Sequence, residues 1–323
     1  MAFNSLAFAI FLPIVFLIYW RAKRSNLQNM VLLAASYIFY GWWDWRFLAL
    51  IVLTSASSFL LALPQRRRKL CLIANITLNV SILGIFKYYN FFSQSLCKLL
   101  SLIGFNADWP TLDVLLPVGI SFYTFQAISY SVDVYRRTIA PCRNPLHFAV
   151  FIAFFPQLVA GPIERAASML PQFAAERRFS YPKAVEGARR ILWGLFKKCV
   201  VADGVAFWVD IAFIQSAEYA SSIADYAMFV IGIIGFTLQL YGDFSGYCDI
   251  ARGSAQLLGF RLSDNFLTPY FSRNAVEFWH RWHRTLMLWF TNYIYIPLGG
   301  SRRGNRYLNS NFGSLFRFIL ISL

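Results

Sequence analysis

The chain has 323 residues, of which 58% are hydrophobic, 19% aromatic and only 14% charged, with a formal net charge of +15. A soluble domain carries roughly a quarter charged residues, so this composition excludes an ordinary water-soluble fold and places the chain in a bilayer. The positive charge does not point to nucleic acid, because it sits in short clusters between apolar runs rather than along one solvated face.

The first residues, MAFNSLAFAIFLPIVFLIYW, lack the basic start and small-residue cleavage site of a signal peptide and read as a retained membrane helix. Arg21 to Arg24 follow, and the positive-inside rule puts that loop in the cytoplasm and the N-terminus outside. Leu27 to Trp43 rises to an interfacial cluster of Tyr40, Trp42, Trp43 and Trp45, and Phe47 to Leu63 returns to Arg66, Arg67, Arg68 and Lys69. Leu70 to Phe92 crosses outward with Lys87 near its end, and Gly104 to Pro110 reads as an outer loop. Leu112 to Tyr135 comes back to Arg136 and Arg137, with Gln126, Ser129 and Ser131 turned toward other helices.

From His147 to Arg165 an apolar run is interrupted by Pro156, Gly161 and Pro162. Irregular backbone survives at membrane depth only where protein buries it or water reaches it, so this predicts a re-entrant or broken segment. His147, beside Pro145, reads as solvated or interfacial. Ala167 to Arg190 is the most polar stretch and reads as a cytoplasmic amphipathic helix and loop. Ile191 to Ile214 carries Lys197, Lys198, Asp203 and Asp210, which argue against a clean crossing. Tyr226 to Tyr241 is a good crossing that runs into GDFSGYCD, Gly242 to Asp249. Trp289 to Leu298 is apolar and aromatic, and leads into a Gly- and Arg-rich loop, Gly299 to Arg306. With no repeat of fixed period, residues 1–323 read as a single polytopic domain. Leu315 to Leu323, interrupted by Arg317, is too short to span, so the domain is expected to be incomplete at its C-terminus.

The chemistry is concentrated in SRNAVEFWHRWHRTLMLWFTNYIYIPLGG, Ser272 to Gly300. Asn274 can cap a helix whose third position is Glu277, in the manner of a capping box, and Glu277 precedes Arg281 by one turn. This places His280 and His283 on one helix, with Trp279, Trp282, His283 and Leu286 as a stripe at helical spacing. A histidine in a helix bundle can be a hydrogen-bonded structural residue. Ionisable groups within membrane segments are expensive, however, so His283 is the leading candidate for a general base or a hydrogen-bond donor. His280 has an easier route to solvent or headgroups. The two histidines lack a third ligand for a metal, since Glu277 is explained by the cap, and no metal site is expected. The five cysteines, Cys71, Cys97, Cys142, Cys199 and Cys248, have no CxxC spacing and read as small apolar fillers. Asp243, flanked by Gly242, Phe244, Ser245 and Gly246, reads as a buried carboxylate bonded to a neighbouring helix, with scaffold and supporting catalytic roles both open. GxSxG, P-loop and GxGxxG fingerprints are missing.

Four segments carry a resemblance: LLPVGISFYTFQAISYSVDVYR at Leu115 to Arg136, FFPQLVAGPIER at Phe154 to Arg165, YGDFSGYCDIARG at Tyr241 to Gly253, and NFLTPYFSRNAVEFWHRWHRTLMLWFTNYIYIPLGG at Asn265 to Gly300. In this order they resemble the membrane-bound O-acyltransferase family, and within it the bacterial branch that includes the alginate O-acetylation membrane protein. The resemblance implies an all-α polytopic membrane fold, a helix bundle with re-entrant segments and a central tunnel, in the bacterial inner membrane. It also implies transfer of an acyl group, acetyl by preference, from a cytoplasmic thioester toward hydroxyls of an extracytoplasmic polysaccharide such as alginate. The donor, acetyl-CoA or an acyl carrier protein thioester, is then a substrate rather than a bound cofactor, and a periplasmic acetyltransferase is an implied partner. His283 matches the histidine of the family's RWH motif, whereas His280 stands where relatives commonly have Arg or Asn. The family's WHG-type histidine lies a few tens of residues beyond RWH, past the end of these 323 residues. The isolated chain is therefore expected to be inactive. D-alanyl transfer to a cell-wall polymer is open on the same fold. From another class, the broken helices and intramembrane charges also fit a transporter-like scaffold, and an inactive remnant is the third reading.

Overall fold

The computed structural model describes residues 1–64, 66–104, 117–159, 161–219 and 223–297. Every regular element among them is helical. The N-terminal half is a bundle of α1 (Leu6–Arg21), α2 (Ser25–Gly41), α3 (Leu48–Ala62), α4 (Arg68–Leu83), α5 (Tyr89–Leu102) and α6 (Ile120–Tyr135). Ser5 starts α1 by accepting the Phe8 N–H at 3.2 Å, and Arg21 closes its last turn. Gly119 starts α6 in the left-handed region (φ 77°), where a Cβ would stand 2.3 Å from the Leu158 carbonyl oxygen, so only glycine fits.

Among the described residues, three helices are long and apolar enough to cross a membrane: Trp45–Ala62, Arg68–Leu102 and Ile223–Leu257. The chain is an all-α membrane protein. The last two have 35 residues each, about 52 Å of helix against a hydrocarbon core of roughly 30 Å, so they tilt or project beyond it. The expected Leu70 to Phe92 crossing thus continues to Leu102 through a π-helical turn, Gly84–Tyr88, that contains Lys87. The first two expected crossings, α1 with 16 residues and α2 with 17, are shorter than these three helices. α2 buries Gln28, Asn29 and Ser36 within the bundle. Gln126, Ser129 and Ser131 are buried on α6, as their polarity requires.

The interrupted segment is α7 (Pro145–Ala153) and a single turn, α8 (Phe155–Leu158), with the break at Phe154 (φ −54°, ψ 107°). Phe148, Phe151, Phe154 and Phe155 are almost wholly buried. The freed backbone groups find partners: the Phe155 N–H donates to Ser36 Oγ at 3.1 Å, and Gln157 Nε2 donates to the Phe151 carbonyl at 2.7 Å. Protein therefore encloses this irregular backbone. His147 is half-buried on α7 with its Nε2 shielded, rather than solvated, because Asn144 caps the helix and folds that turn against the bundle.

α9 (Ala166–Ala174) returns the chain along the bundle by burying Ala166, Met169 and Phe173. α10 (Tyr181–Leu195), a π-helical turn (Phe196–Ala202) and α11 (Asp203–Tyr219) then run beside α12 (Ile223–Leu257) as one long hairpin. The backbones touch at two glycine pairs. A Cβ on Gly194 would lie 2.6 Å from the Gly246 carbonyl oxygen, and one on Gly253 would lie 2.6 Å from that of Gly187. Three of the four charges that argued against a clean crossing, Lys197, Lys198 and Asp203, are paired across or within this hairpin. Lys197 meets Asp249, and Lys198 meets both Asp243 and, at 3.0 Å, Asp203. Most of the Gly104 to Pro110 loop, the start of the Leu112 to Tyr135 crossing, the end of the Trp289 to Leu298 stretch, Gly299 to Arg306 and Leu315 to Leu323 lie outside the described residues.

Candidate functional site

The helix expected from Asn274 through Leu286 is two helices. α13 (Ala275–Arg281) begins as the spacing requires: Asn274 Oδ1 accepts the Glu277 N–H at 2.8 Å, and Glu277 pairs with Arg281 at 2.6 Å. The Glu277 carboxylate reaches back one residue further than a capping box needs, accepting the Arg273 N–H at 2.9 Å. At Trp282 the backbone is extended (ψ 129°), and His283 adopts the left-handed conformation (φ 41°, ψ 53°) before α14 (Arg284–Phe290) begins. For a residue with a Cβ this conformation costs about 1–3 kcal/mol and persists only where the surroundings impose it.

Asn265 is what imposes it. Its carbonyl accepts the Arg284 N–H at 3.0 Å, and its Oδ1 accepts the Thr285 N–H at 3.2 Å and the Thr285 hydroxyl at 2.8 Å. Two residues on, the Leu267 N–H donates to the Arg281 carbonyl at 3.0 Å, so the segment from Asn265 to Leu267 brackets the break on both sides. Thr285 Oγ1 in turn accepts the Ile163 N–H at 3.0 Å, which ties α14 to the chain just after the broken segment. Glu164 secures the same region from behind. It is 2% exposed, and its carboxylate accepts the Ser263 hydroxyl at 3.1 Å and the Ser168 hydroxyl at 3.3 Å. Burial pushes the Glu164 carboxyl up and its serine donors pull it back.

The His283 ring enters an aromatic enclosure formed by α6, α12 and the Asn265 segment. Phe122 stacks on it at 6.4 Å, Phe244 meets it edge-on at 4.9 Å, and Phe266 lies at 6.5 Å. Trp289 fixes α14 against α6 by donating to the Phe125 carbonyl at 2.9 Å. His283 is 8% exposed, and its Nδ1 is buried with no hydrogen-bond partner among the described residues. His283 lies outside the three long apolar helices, and burial pushes its pKa down to about 4. At neutral pH the ring is therefore uncharged, with one nitrogen able to accept a hydrogen bond and the other able to donate one.

His280 stays on α13 and is exposed, and the break at 282–283 removes the i, i+3 helical relation that would have paired it with His283. Asp243 is not the buried carboxylate that its small neighbours implied. Its side chain is 52% exposed and pairs with Lys198, while the adjacent Phe244, turned about 100° around α12, is the residue that touches His283. Neither His280 nor Asp243 is brought to the His283 ring. The residues that hold the ring in place, Asn265, Thr285 and Glu164, were not singled out in sequence, although each lies inside a segment that carries the resemblance. Among the described residues, no three His, Cys, Asp or Glu side chains gather as metal ligands.

The model of the membrane-bound O-acyltransferase family matches residues 143–316, which contain the broken segment, the long hairpin and the His283 turn. The chain belongs to the membrane-bound O-acyltransferase family. A probable alginate O-acetylase of Pseudomonas putida is 39% identical over 323 residues, covering 96% of this chain and 64% of the relative. A peptidoglycan O-acetyltransferase of Helicobacter pylori is 36% identical over 332 residues, covering 90% of this chain and 60% of the relative. A teichoic acid D-alanyltransferase of Bacillus subtilis is 26% identical over 196 residues, covering 58% of this chain and 47% of the relative. The chain spans about three fifths of the length of the O-acetyl relatives it matches.

Proposed function

We propose that the whole protein is an O-acyltransferase that moves an acyl group, acetyl in this reading, from a cytoplasmic thioester toward hydroxyls of an extracytoplasmic polysaccharide such as alginate. The observation that carries the proposal is His283, an imidazole with an unpartnered nitrogen, held in a strained conformation inside an aromatic enclosure. In the transfer the acceptor hydroxyl oxygen bonds to the thioester carbonyl carbon, the carbon–sulfur bond breaks, and the hydroxyl proton ends on the departing thiolate. His283 aligns that hydroxyl by accepting its hydrogen bond. Its lowered proton affinity suits it to orient and relay the proton rather than retain it. Hydrogen-bond donors at the thioester oxygen stabilise the tetrahedral oxyanion. No covalent enzyme intermediate is needed.

The donor, acetyl-CoA or an acyl carrier protein thioester, is a substrate in this scheme, and a central tunnel joins it to the acceptor side. In this reading the setting is the bacterial inner membrane with the N-terminus outside, an orientation that the basic clusters at Arg21–Arg24 and Arg66–Lys69 support. A periplasmic acetyltransferase completes the delivery. D-alanyl transfer is the second reading, and the match to a teichoic acid D-alanyltransferase is what favours it. The higher identity and wider coverage of the O-acetyl relatives support the acetyl reading over it. Membership of an acyltransferase family weighs against a transporter-like scaffold. The deciding experiment is thioester-dependent labelling of acceptor polysaccharide in membranes carrying the full-length protein. Full labelling by His283→Ala would sink the assignment. The isolated 323 residues should not label the acceptor, and vigorous transfer by them would overturn that expectation.

A further inference from the structure

Where α10 begins and α12 ends, the hairpin and the segment after Gly259 enclose a cavity of about 470 Å³. Lys183, Glu186 and Arg190 of α10, Arg252 of α12, and Arg261 and Asp264 of the following segment line it, four cations against two anions. Arg190 is braced by Glu186 at 3.4 Å, and Arg252 by Asp264. Lys183 and Arg261 form no ion pair among the described residues. The Arg252 side chain is only 16% exposed, and its Nε is buried without a hydrogen-bond partner among the described residues. The cavity thus holds two uncompensated positive charges beside two guanidinium groups fixed in place by carboxylates. Rigid guanidinium forks with a lysine beside them match phosphate oxygens, and the volume is that of a small-molecule site.

We propose that this cleft binds phosphate, and that its ligand is the phosphate-bearing end of the thioester donor, as in the nucleotide pyrophosphate of coenzyme A. The identity of the ligand rests on the acyl-transfer reading; the phosphate chemistry rests on the cleft alone. Two connections place the cleft in line with the candidate site. Arg252 and Phe244 are eight residues apart on one helix, about 12 Å along its axis, and Phe244 packs against His283. Asp264 on the cleft wall is followed by Asn265, which clamps the His283 turn. A donor anchored here by its phosphates would extend its thioester along α12 toward His283. The cleft also opens at the appropriate end of the molecule. Trp20, directly before the basic Arg21–Arg24 cluster, donates to the Leu257 carbonyl at the end of α12 at 3.1 Å, so the cleft lies at the end that the positive charges assign to the cytoplasm.

The test is calorimetric titration of the full-length protein in detergent at low ionic strength with three probes: coenzyme A without an acyl group, inorganic pyrophosphate, and soluble dihexanoyl phosphatidylglycerol. Coenzyme A and pyrophosphate should bind, and both should weaken as salt is added. Replacing Lys183→Ala and Arg261→Ala together should weaken them roughly tenfold or more for each charge lost, with the helical circular dichroism unchanged. Arg261→Lys, which keeps the charge, should retain most of the affinity. His283→Ala should bind both probes like the parent, so the loss of transfer in that variant and the loss of binding in the cleft variants are read separately. Unchanged affinity in the double variant would overturn the site. Binding of the lipid probe without coenzyme A or pyrophosphate would overturn the donor assignment and leave a headgroup site.

Discussion

Two helix breaks in this molecule use the same device for different ends. At Phe154 the chain interrupts a helix, buries the break under phenylalanines, and satisfies its freed backbone with Ser36 and Gln157. At His283 the chain again interrupts a helix and satisfies the backbone, this time with Asn265, but it also leaves a titratable ring with an unpartnered nitrogen inside the protein. The first break completes a core. The second spends conformational strain on aiming one side chain, as the role proposed for His283 calls for.

The sharpest way to break the comparison is to remove the ring. His283→Ala should lower acyl transfer by the full-length protein about 10²–10⁴-fold while thermal unfolding in detergent shifts little, and a large loss of stability with transfer intact would reverse the two roles. Next in size is the clamp. Asn265→Ala leaves the Thr285 N–H and hydroxyl without their acceptor and should cost about 3 kcal/mol in unfolding free energy, with transfer falling alongside. Acidification probes the ring itself. Because the folded pKa of about 4 lies below the ordinary histidine value, the unfolded chain binds the extra proton first. Stability from this source is complete above about pH 6.5, falls as pH drops toward 4, and should flatten in His283→Ala. Gly194→Ala, which forces a methyl against the Gly246 carbonyl, should cost about 2 kcal/mol by prising the hairpin apart. Smallest is Ser36→Ala, about 1 kcal/mol from the stranded Phe155 N–H, with the transfer chemistry unaffected if the Phe154 break is purely structural.

Much of this organisation is legible in the sequence. Composition and basic clusters announced a polytopic helical protein, and Pro156, Gly161 and Pro162 marked a broken segment that either protein or water must enclose; the structure shows protein. The cap at Asn274 also held. The continuity beyond it did not, because Arg281 to Thr285 would extend a helix on local preference and the competing partner, Asn265, is 20 residues away from the Thr285 it binds. Glu164 and Ser263 are 99 residues apart, so their bond leaves no local pattern. Asp243 does bond to the neighbouring helix, through Lys198, and its exposure has a different cause. The glycines beside it do signal close packing, but Gly242 and Gly246 face the α10 side of the hairpin and the carboxylate does not share their burial.

The left-handed backbone at His283 also bears on how such a protein drifts over generations. Glycine or asparagine would sit in that turn with less strain, so substituting either one relieves the fold while deleting the imidazole. With the role proposed for His283, stability and chemistry select opposite residues at a single codon. A homologue released from the need to turn over substrate should lose this histidine early, and one that keeps it at such a turn announces that its chemistry is still in use.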